Sequence, residues 1–425
     1  MKIPFKHILD NLEENPSIEE ISNKLFQLGH EHEITNNIFD IEITPNRGDC
    51  LSLNGILRDL KVFYNLVSKN QYIYEGHLDE FNIEFENFSK QECPKISFLN
   101  VEIDDIPTEY NGVLKQYFKD LSLNKNNFFT DISNYISYET GQPTHCYDAK
   151  KINNEIIFRE IQDEIAFTTL LNEDISLDGK NYVFENNNEI INLAGIMGGK
   201  NTACTENTKN VIVECAFFNP EIIIGKTLKY DIQSDAAYKF ERGVDHNCHE
   251  NVLRRFIKLI KDHSHVKNVS LKSFEYEDQG CQKVLVDIHK INKILGLNIT
   301  REEYLNYLLK LGFQVKENFI YPASYRRDIV NQNDIAEEIA RVIGYDQIPI
   351  KKIDIKQNSS ADVDNEFEKK IKNFFIDNGF FEVINSPFDF NQQDDSIKID
   401  NPIDSNKPFL RTSLTKNSPK RIGII

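Results

Sequence analysis

The sequence predicts an α+β chain of several domains. Amphipathic helical stripes are mixed with β-branched runs rather than strung out in one pattern. Two polar, weakly patterned stretches, at 67–95 and 357–364, separate segments that are well patterned. At 425 residues the chain is long enough for two to four cores.

The bulk properties narrow the class. The chain is 40% hydrophobic and 27% charged, a globular balance. It has no run of 18 apolar residues and no signal-peptide core after Met1, so neither a membrane span nor secretion is expected. Seven cysteines without a C-x-x-C pair argue against a disulfide framework and a zinc site. The cytoplasm is the expected compartment. The formal charge of -18 disfavours a free-standing nucleic-acid binder, which is ordinarily basic. A local basic patch or a partner subunit can still carry an RNA contact.

Residues 1–66 form the first predicted module. Phe5, Ile8, Leu9 and Leu12 have helical spacing. Ser17 and Glu20 fit a capping box ahead of the stripe Ile21, Leu25, Leu28, and Gly29 suits the stop. Residues 39–44 alternate as a strand, Pro45-Asn46-Arg47-Gly48-Asp49 is a turn, and 51–66 is a helix. Residues 67–95 are expected to be a linker. A central α+β domain spans 96–274, with strand-like runs at 156–158, 190–193 and 211–213 and its clearest helix at 248–263. Residues 283–350 suggest a smaller module. It has helices at 287–295 and 300–311, a strand and wing-like connection at 321–329, and a third helix at 334–343. A last, partial domain at 365–425 opens with a helix at 367–375 and a strand at 380–385.

Five strings carry candidate chemistry. They are Asp131-Ile132-Ser133-Asn134-Tyr135, Gly141-Gln142-Pro143-Thr144-His145-Cys146-Tyr147-Asp148, Ala194-Gly195-Ile196-Met197-Gly198-Gly199, Val213-Glu214-Cys215-Ala216-Phe217, and the stretch from Ser234 to Asp245. Each sets a polar or Gly-rich turn beside an apolar run, the usual placement of functional loops. Gly141 and Pro143 constrain the backbone before His145, which can face a cleft or serve only the structure. Glu214 follows a β-branched strand, so its carboxylate is either a buried group satisfied by the backbone or a site acceptor. Gly198 and Ala236 are small enough for close approach to a ligand, or are a plain turn and plain packing.

A second set is acidic. Asp334, Glu337 and Glu338 share one helical face, and Asp328 lies just before. Oxygen-only ligands suit Mg²⁺. The alternative is ordinary helix N-terminal acidity, with Asp334 as cap and Glu337 completing a capping box. No Walker loop or other phosphate-cradling Gly loop is present.

In their order, the first five strings resemble the editing region of the bacterial phenylalanyl-tRNA synthetase beta subunit. Glu42-Ile43-Thr44-Pro45-Asn46-Arg47, Glu337-Glu338-Ile339-Ala340-Arg341, Gly344-Tyr345-Asp346-Gln347-Ile348-Pro349 and Leu410-Arg411-Thr412-Ser413-Leu414 extend the resemblance to about residue 414. It implies an editing domain (B3/B4-like) at 96–274, a winged-helix-like (B5-like) module at 283–350, and the start of a class II synthetase-like domain at 365–425. It implies catalytic roles for His145, Glu214 and Ser234, substrate contacts for Gly198, Ala236 and Asn124, and Mg²⁺ on Asp328, Asp334, Glu337 and Glu338. The implied function is support of an alpha subunit, in an α2β2 complex, during ATP-dependent charging of tRNA-Phe, with hydrolysis of Tyr-tRNA-Phe. ATP and phenylalanine would bind the alpha subunit.

Three departures stand out. Family members usually insert an OB-like tRNA-binding module where residues 34–38 alone join the helix pair to the next strand. Ser234 stands where Thr is typical, and Asn124 where Arg is typical. The resemblance also implies a chain truncated at its C-terminus. A scaffold with a decayed pocket and a free-standing trans-editing hydrolase remain the alternatives.

Overall fold

The computed structural model describes residues 1–68, 72–277, 280, 282–350 and 363–414. The chain divides into two compact units, Met1–Ile350 and Lys351–Ile425.

The first unit begins with a three-stranded antiparallel sheet, Ile38–Ile41 lying between Lys2–Pro4 and His32–Thr35. The turn between the last two strands is Asn36-Asn37, with φ of 53° and 60°. Asn tolerates this left-handed pair, which matches the twist of a two-residue hairpin. The short connection read at 34–38 is therefore a tight β-turn. The capping box at Ser17 and Glu20 forms as expected and opens the helix Ile18–Gln27. The helix expected at 51–66 is shorter, Leu53–Leu60, with Ser52 capping it through Gly55 N–H at 3.0 Å.

Two five-stranded sheets build the centre. One runs Asp79–Glu80, Val266–Glu275, Lys95–Ile103, Asn210–Phe217, Thr144–Asp148. The other runs Met197–Gly198, Glu189–Leu193, Asn181–Asn186, Glu155–Ile161, Glu84–Asn87. Because side chains alternate across a strand, Asn210–Phe217 serves two cores. Val211, Val213 and Cys215 join a core shared with the N-terminal helices, and Ile212, Ala216 and Phe217 join the core between the sheets.

Residues 67–95 are not a plain linker. Asp79–Glu80 and Glu84–Asn87 add a parallel edge strand to each sheet. The signal was the alternation Phe81, Ile83, Phe85, all buried between the sheets. The surrounding acidic residues hid it, because an edge strand needs only one apolar face.

A third core holds Val284, Ile291, Tyr304, Leu308, Phe313, Ile320, Ile335 and Ile339. Helices Ile288–Leu295, Arg301–Lys310 and Gln332–Ile343 surround the three-stranded sheet Val284–Leu285, Phe319–Tyr321, Gln314–Lys316. The strand expected at 321–329 ends at Tyr321, and turns take over from Pro322. Pro322 and the Arg-Arg-Asp run break the alternation a strand requires.

In the second unit the helix is Val363–Asp377. The expected strand at 380–385 is absent: the segment is irregular, with Phe381 and Ile384 almost fully exposed. β-propensity alone does not make a strand where no neighbour supplies hydrogen bonds. The one pair of strands among the described residues there is Phe388–Asp389 with Phe409–Leu410. The string at 415–425 lies outside the described residues.

Candidate functional site

The site grows from one strand pair. Thr144–Asp148 runs antiparallel to Asn210–Phe217 with Glu214 directly opposite His145 and Val213 opposite Cys146. Directly opposite residues share a face, so His145 and Glu214 both face the core between the sheets. Alternation places Glu214 where an apolar residue would be expected.

Glu214 is buried, and among the described residues no cation pairs with it. The Tyr147 phenol donates to its Oε2 at 2.6 Å. The Asn192 amide donates to the same oxygen at 3.3 Å and to the Tyr147 hydroxyl oxygen at 3.0 Å. Burial pushes the carboxyl up to about 7, and the two hydrogen bonds only partly oppose it. Neutral donors stabilise the anion less than an arginine would.

His145 stands edge-on to the Tyr147 ring, 4.5 Å between centroids. Its Nε2 is buried and has no partner among the described residues. Burial lowers its pKa to about 4, so the imidazole is neutral at physiological pH and keeps one lone pair. Gly198 explains its own identity. A Cβ there would lie 2.2 Å from His145 Cε1 and 2.9 Å from Leu170 Cδ1. Any side chain at 198 would push the imidazole out of place.

Ala236 occupies the first turn of the helix Asp235–Phe240. Ser234 caps that helix: its Oγ accepts from Ala237 N–H at 3.1 Å and donates to the Ile196 carbonyl at 2.6 Å. The hydroxyl thus ties the helix to the Gly195-Ile196 turn. His145, Gly198, Glu214 and Ala236 line one small cavity of about 60 Å³, together with Asn192 and Phe240. Ser234 sits behind this lining through Ile196. Asn124 does not reach it; the residue is exposed in the turn before the helix Phe128–Thr140.

The sequence reading missed Tyr147 and Asn192. A signal existed for each. Tyr147 falls two residues from His145 on the same strand, hence on the same face. Asn192 is the lone polar residue in the apolar run 190–193, and a buried polar group in such a run must have a partner.

The four acidic residues are engaged differently. Arg326 makes a bidentate pair with Asp328, at 2.9 and 2.8 Å, and reaches Glu338 at 2.7 Å. Arg341 binds the other Glu338 oxygen at 2.6 Å, and also Asp59. Asp334 accepts from the Val330 and Asn331 N–H groups, each at 2.8 Å, and closes a capping box with Asn331 as cap. The cap therefore lies three residues earlier than the alternative reading placed it. Glu337 is exposed.

These four carboxylates do not meet around one point. Among the described residues, the group of His, Cys, Asp or Glu with ligand atoms within 4.8 Å of one another is His30, Cys50 and Asp59. Asp59 there already holds Arg47 and Arg341. Arginines hold the oxygens of Asp328 and Glu338 and the helix cap takes Oδ2 of Asp334, while Glu337 stands apart from this network.

The part of the chain that holds this site matches a known domain family. The B3/4 domain family matches residues 105–265, which contain His145, Gly198, Glu214, Ser234 and Ala236. The tRNA synthetase B5 domain family matches residues 284–345. A phenylalanine–tRNA ligase beta subunit of Psychrobacter arcticus is 30% identical over 403 residues, covering 90% of this chain and 50% of the relative. The chain is similar to phenylalanine–tRNA ligase beta subunits along most of its length, and two known domain families match within it. The corresponding subunit of the Wolbachia strain from Brugia malayi is 29% identical over 430 residues, covering 94% and 54%. The chain spans about half the length of these relatives. An N-terminal fragment of the phenylalanyl-tRNA synthetase beta-subunit from Pyrococcus horikoshii aligns with 80% of this chain and 99% of the fragment, at TM-score 0.46 and 14% identity.

Proposed function

We propose that the chain serves as beta subunit to a phenylalanine–tRNA ligase alpha subunit, in an α2β2 complex, and that the His145–Glu214 pocket hydrolyses tyrosine esterified to tRNA-Phe. The supporting observation is the buried Glu214 carboxylate with neutral donors beside it and an unpartnered His145 Nε2 across the strand pair.

The chemistry follows from that pairing. A synthetic site shaped for phenylalanine rejects one added hydroxyl poorly, so a second, hydrolytic site has a purpose. A tyrosine phenol in this pocket would hydrogen-bond to Glu214. Phenylalanine would leave the second oxygen of that carboxylate desolvated without a partner, which disfavours it. The neutral His145 can accept a hydrogen bond from the attacking water or donate one to the ester, according to its tautomer. Gly198 and Ala236 keep the approach clear. The cavity is smaller than the roughly 300 Å³ of an ordinary ligand site, so the ring enters by moving flexible neighbours such as Met197 and Leu170.

ATP and phenylalanine belong to the alpha subunit in this reading. Mg²⁺ enters with ATP there rather than through the four carboxylates on this chain. The B5 domain and the N-terminal block serve assembly and tRNA-Phe, and the complex works in the cytoplasm. No helix among the described residues is long and apolar enough to cross a membrane. A scaffold with a decayed pocket is disfavoured because a buried carboxylate without a cation destabilises the fold at neutral pH and gives a scaffold nothing in return. A free-standing hydrolase leaves the N-terminal block and B5 domain without a task.

The test is Glu214→Ala in a complex with the alpha subunit. One lost hydrogen bond to a charged group predicts Tyr-tRNA-Phe hydrolysis lower by roughly ten- to a hundred-fold, with phenylalanine charging unchanged. Hydrolysis at the wild-type rate would sink the assignment.

A further inference from the structure

Glu214 can recognise a hydroxyl only if its carboxylate is held still with one oxygen free. Both hydrogen bonds it receives fall on the same oxygen. The Tyr147 phenol and the Asn192 amide converge on Oε2, and Asn192 also bonds Tyr147, so the three groups close a triangle of 2.6, 3.0 and 3.3 Å. Neither partner is free to drift. Tyr147 is wholly buried on the Thr144–Asp148 strand, and Asn192 is buried on Glu189–Leu193. The triangle therefore joins the two central sheets. Glu214 itself lines the cavity beside His145 and Gly198.

We propose that Tyr147 and Asn192 are positioning residues for specificity: they pin Glu214 through Oε2 so that Oε1 is offered to the hydroxyl of a bound phenol. The proposal rests on the editing reading of the same pocket. It adds that selectivity for tyrosine is set by two residues that act through Glu214. The chemistry requires both to be neutral donors. An arginine in either place would fix Glu214 as an anion and compete for Oε1. An apolar residue would let the carboxylate rotate and leave its anion without support.

The clamp also sets a pH window. Phenol recognition is strongest when Glu214 is ionised, because a charge-assisted hydrogen bond is shorter and stronger than a neutral one. Removing a donor from the carboxylate raises its pKa further, so recognition moves to higher pH. The other titratable groups around Glu214 are His145 opposite it, the thiols Cys93, Cys146 and Cys215, which burial keeps protonated, and the Asp235–Lys239 pair on the helix that borders the cavity. None is a cation poised to replace the clamp, since Lys239 is directed to Ser137 and Asp235.

Two measurements separate this proposal from the reading beneath it. The first is binding of free L-tyrosine against L-phenylalanine to the full chain, from pH 6 to 9, for wild type, Tyr147→Phe, Asn192→Ala and Glu214→Gln. The second is Tyr-tRNA-Phe deacylation by the same proteins with the alpha subunit. Wild type should prefer tyrosine. Tyr147→Phe should lose roughly ten-fold of that preference at pH 7, the scale of one hydrogen bond to a charged group. It should recover part of the loss above pH 8, and Glu214→Gln should recover none. Asn192→Ala should show the same displacement in smaller degree, and it carries the test should Tyr147→Phe fail to fold. Folded Tyr147→Phe and Asn192→Ala proteins with wild-type preference and wild-type pH dependence would overturn the clamp while leaving Glu214 as the acceptor. A tyrosine preference that obeys the clamp but is accompanied by no deacylation in any protein would instead overturn the editing reading. Equal binding of both amino acids to wild type would overturn both.

Discussion

Glu214 and Glu338 are equally well buried, at 4% and 3% exposure, and their carboxyls behave in opposite ways. Burial pushes both upward. Glu214 meets only a phenol and an amide, and rises to about 7. At Glu338 the Arg326 hydrogen bond and charge, with Arg341 and Arg47 behind them, overcome burial and hold the carboxyl at about 2. The difference teaches what each region is for. Glu338 belongs to a network in which Arg47, Arg326 and Arg341 link Asp49, Asp59, Glu338 and Asp328. Through Arg341, which also donates to the Leu28 carbonyl at 2.7 Å, it joins the N-terminal block to the B5 domain. A fixed charge is useful in a joint. A carboxyl that changes state near neutrality is useful in a pocket.

The comparison can be broken first at the joint. Arg341→Met leaves Glu338 and Asp59 short of a counter-charge in a buried place. Removing one partner of such a network costs about 3–5 kcal/mol, read as a lower urea midpoint with unchanged slope. Glu338 has a folded pKa depressed below its unfolded value near 4.5. Its stabilisation is therefore present above that value and lost as pH falls toward 2. The deficit of Arg341→Met should shrink below pH 4; a constant deficit would mean packing rather than charge is at work.

Glu214→Gln should act in the other direction. The folded pKa is raised, so the wild-type stability is fully present below pH 4.5 and is lost as pH rises through 7. A shift from 4.5 to about 7 corresponds to about 3 kcal/mol at 1.36 kcal/mol per unit. Glu214→Gln should gain most of that at pH 8 and almost nothing at pH 4, by urea unfolding at both values. No gain at pH 8 would mean the carboxylate is solvated in the native state.

Gly198→Ala sharpens the pocket side. The new Cβ meets the His145 ring at 2.2 Å, and overpacking of this kind costs about 1–3 kcal/mol. Deacylation should fall further than stability, by roughly ten-fold or more, as the imidazole is moved from its place. Equal rates in Gly198→Ala and wild type would remove His145 from the chemistry. The smallest expected effect is that of Mg²⁺. With Arg326 and Arg341 holding Asp328 and Glu338, and the helix cap holding one oxygen of Asp334, millimolar Mg²⁺ should leave the melting temperature of the chain unchanged. A rise that disappears in Asp334→Asn, Glu337→Gln would restore the metal site, since a ligand of the folded state must stabilise it.

The contrast between these two carboxyls bears on how far the chain could be read in one dimension. The helix stripe at 18–27 and its capping box were legible because period and cap are local properties. So were the strand-like run at 211–213, which falls within Asn210–Phe217, and the four strings that supply residues to the pocket. His145, Gly198, Glu214 and Ala236 were named from residue type, turn chemistry and resemblance, and they line one cavity. The edge strands Asp79–Glu80 and Glu84–Asn87 were not legible, because they exist only where a neighbouring sheet offers its unpaired edge. The helical spacing of Asp334, Glu337 and Glu338 was read correctly as one face of a helix. Spacing is silent on what that face meets, and it meets Arg326 from the preceding turn and the helix's own cap.

The sequence by itself determined the elements that depend on near neighbours: capped helices, the Asn36-Asn37 hairpin turn, and the alternation that sends Val213 to one core and Glu214 to the other face. Only the tertiary structure decided the charge of the two buried glutamates. A carboxyl's ionisation is fixed by the dielectric and the partners within a few ångströms, and here those partners arrive from distant strands and turns. Tyr147 and Asn192 reach Glu214 across 67 and 22 residues of chain. Arg47 and Arg341 meet on Asp59 across 12 and 282.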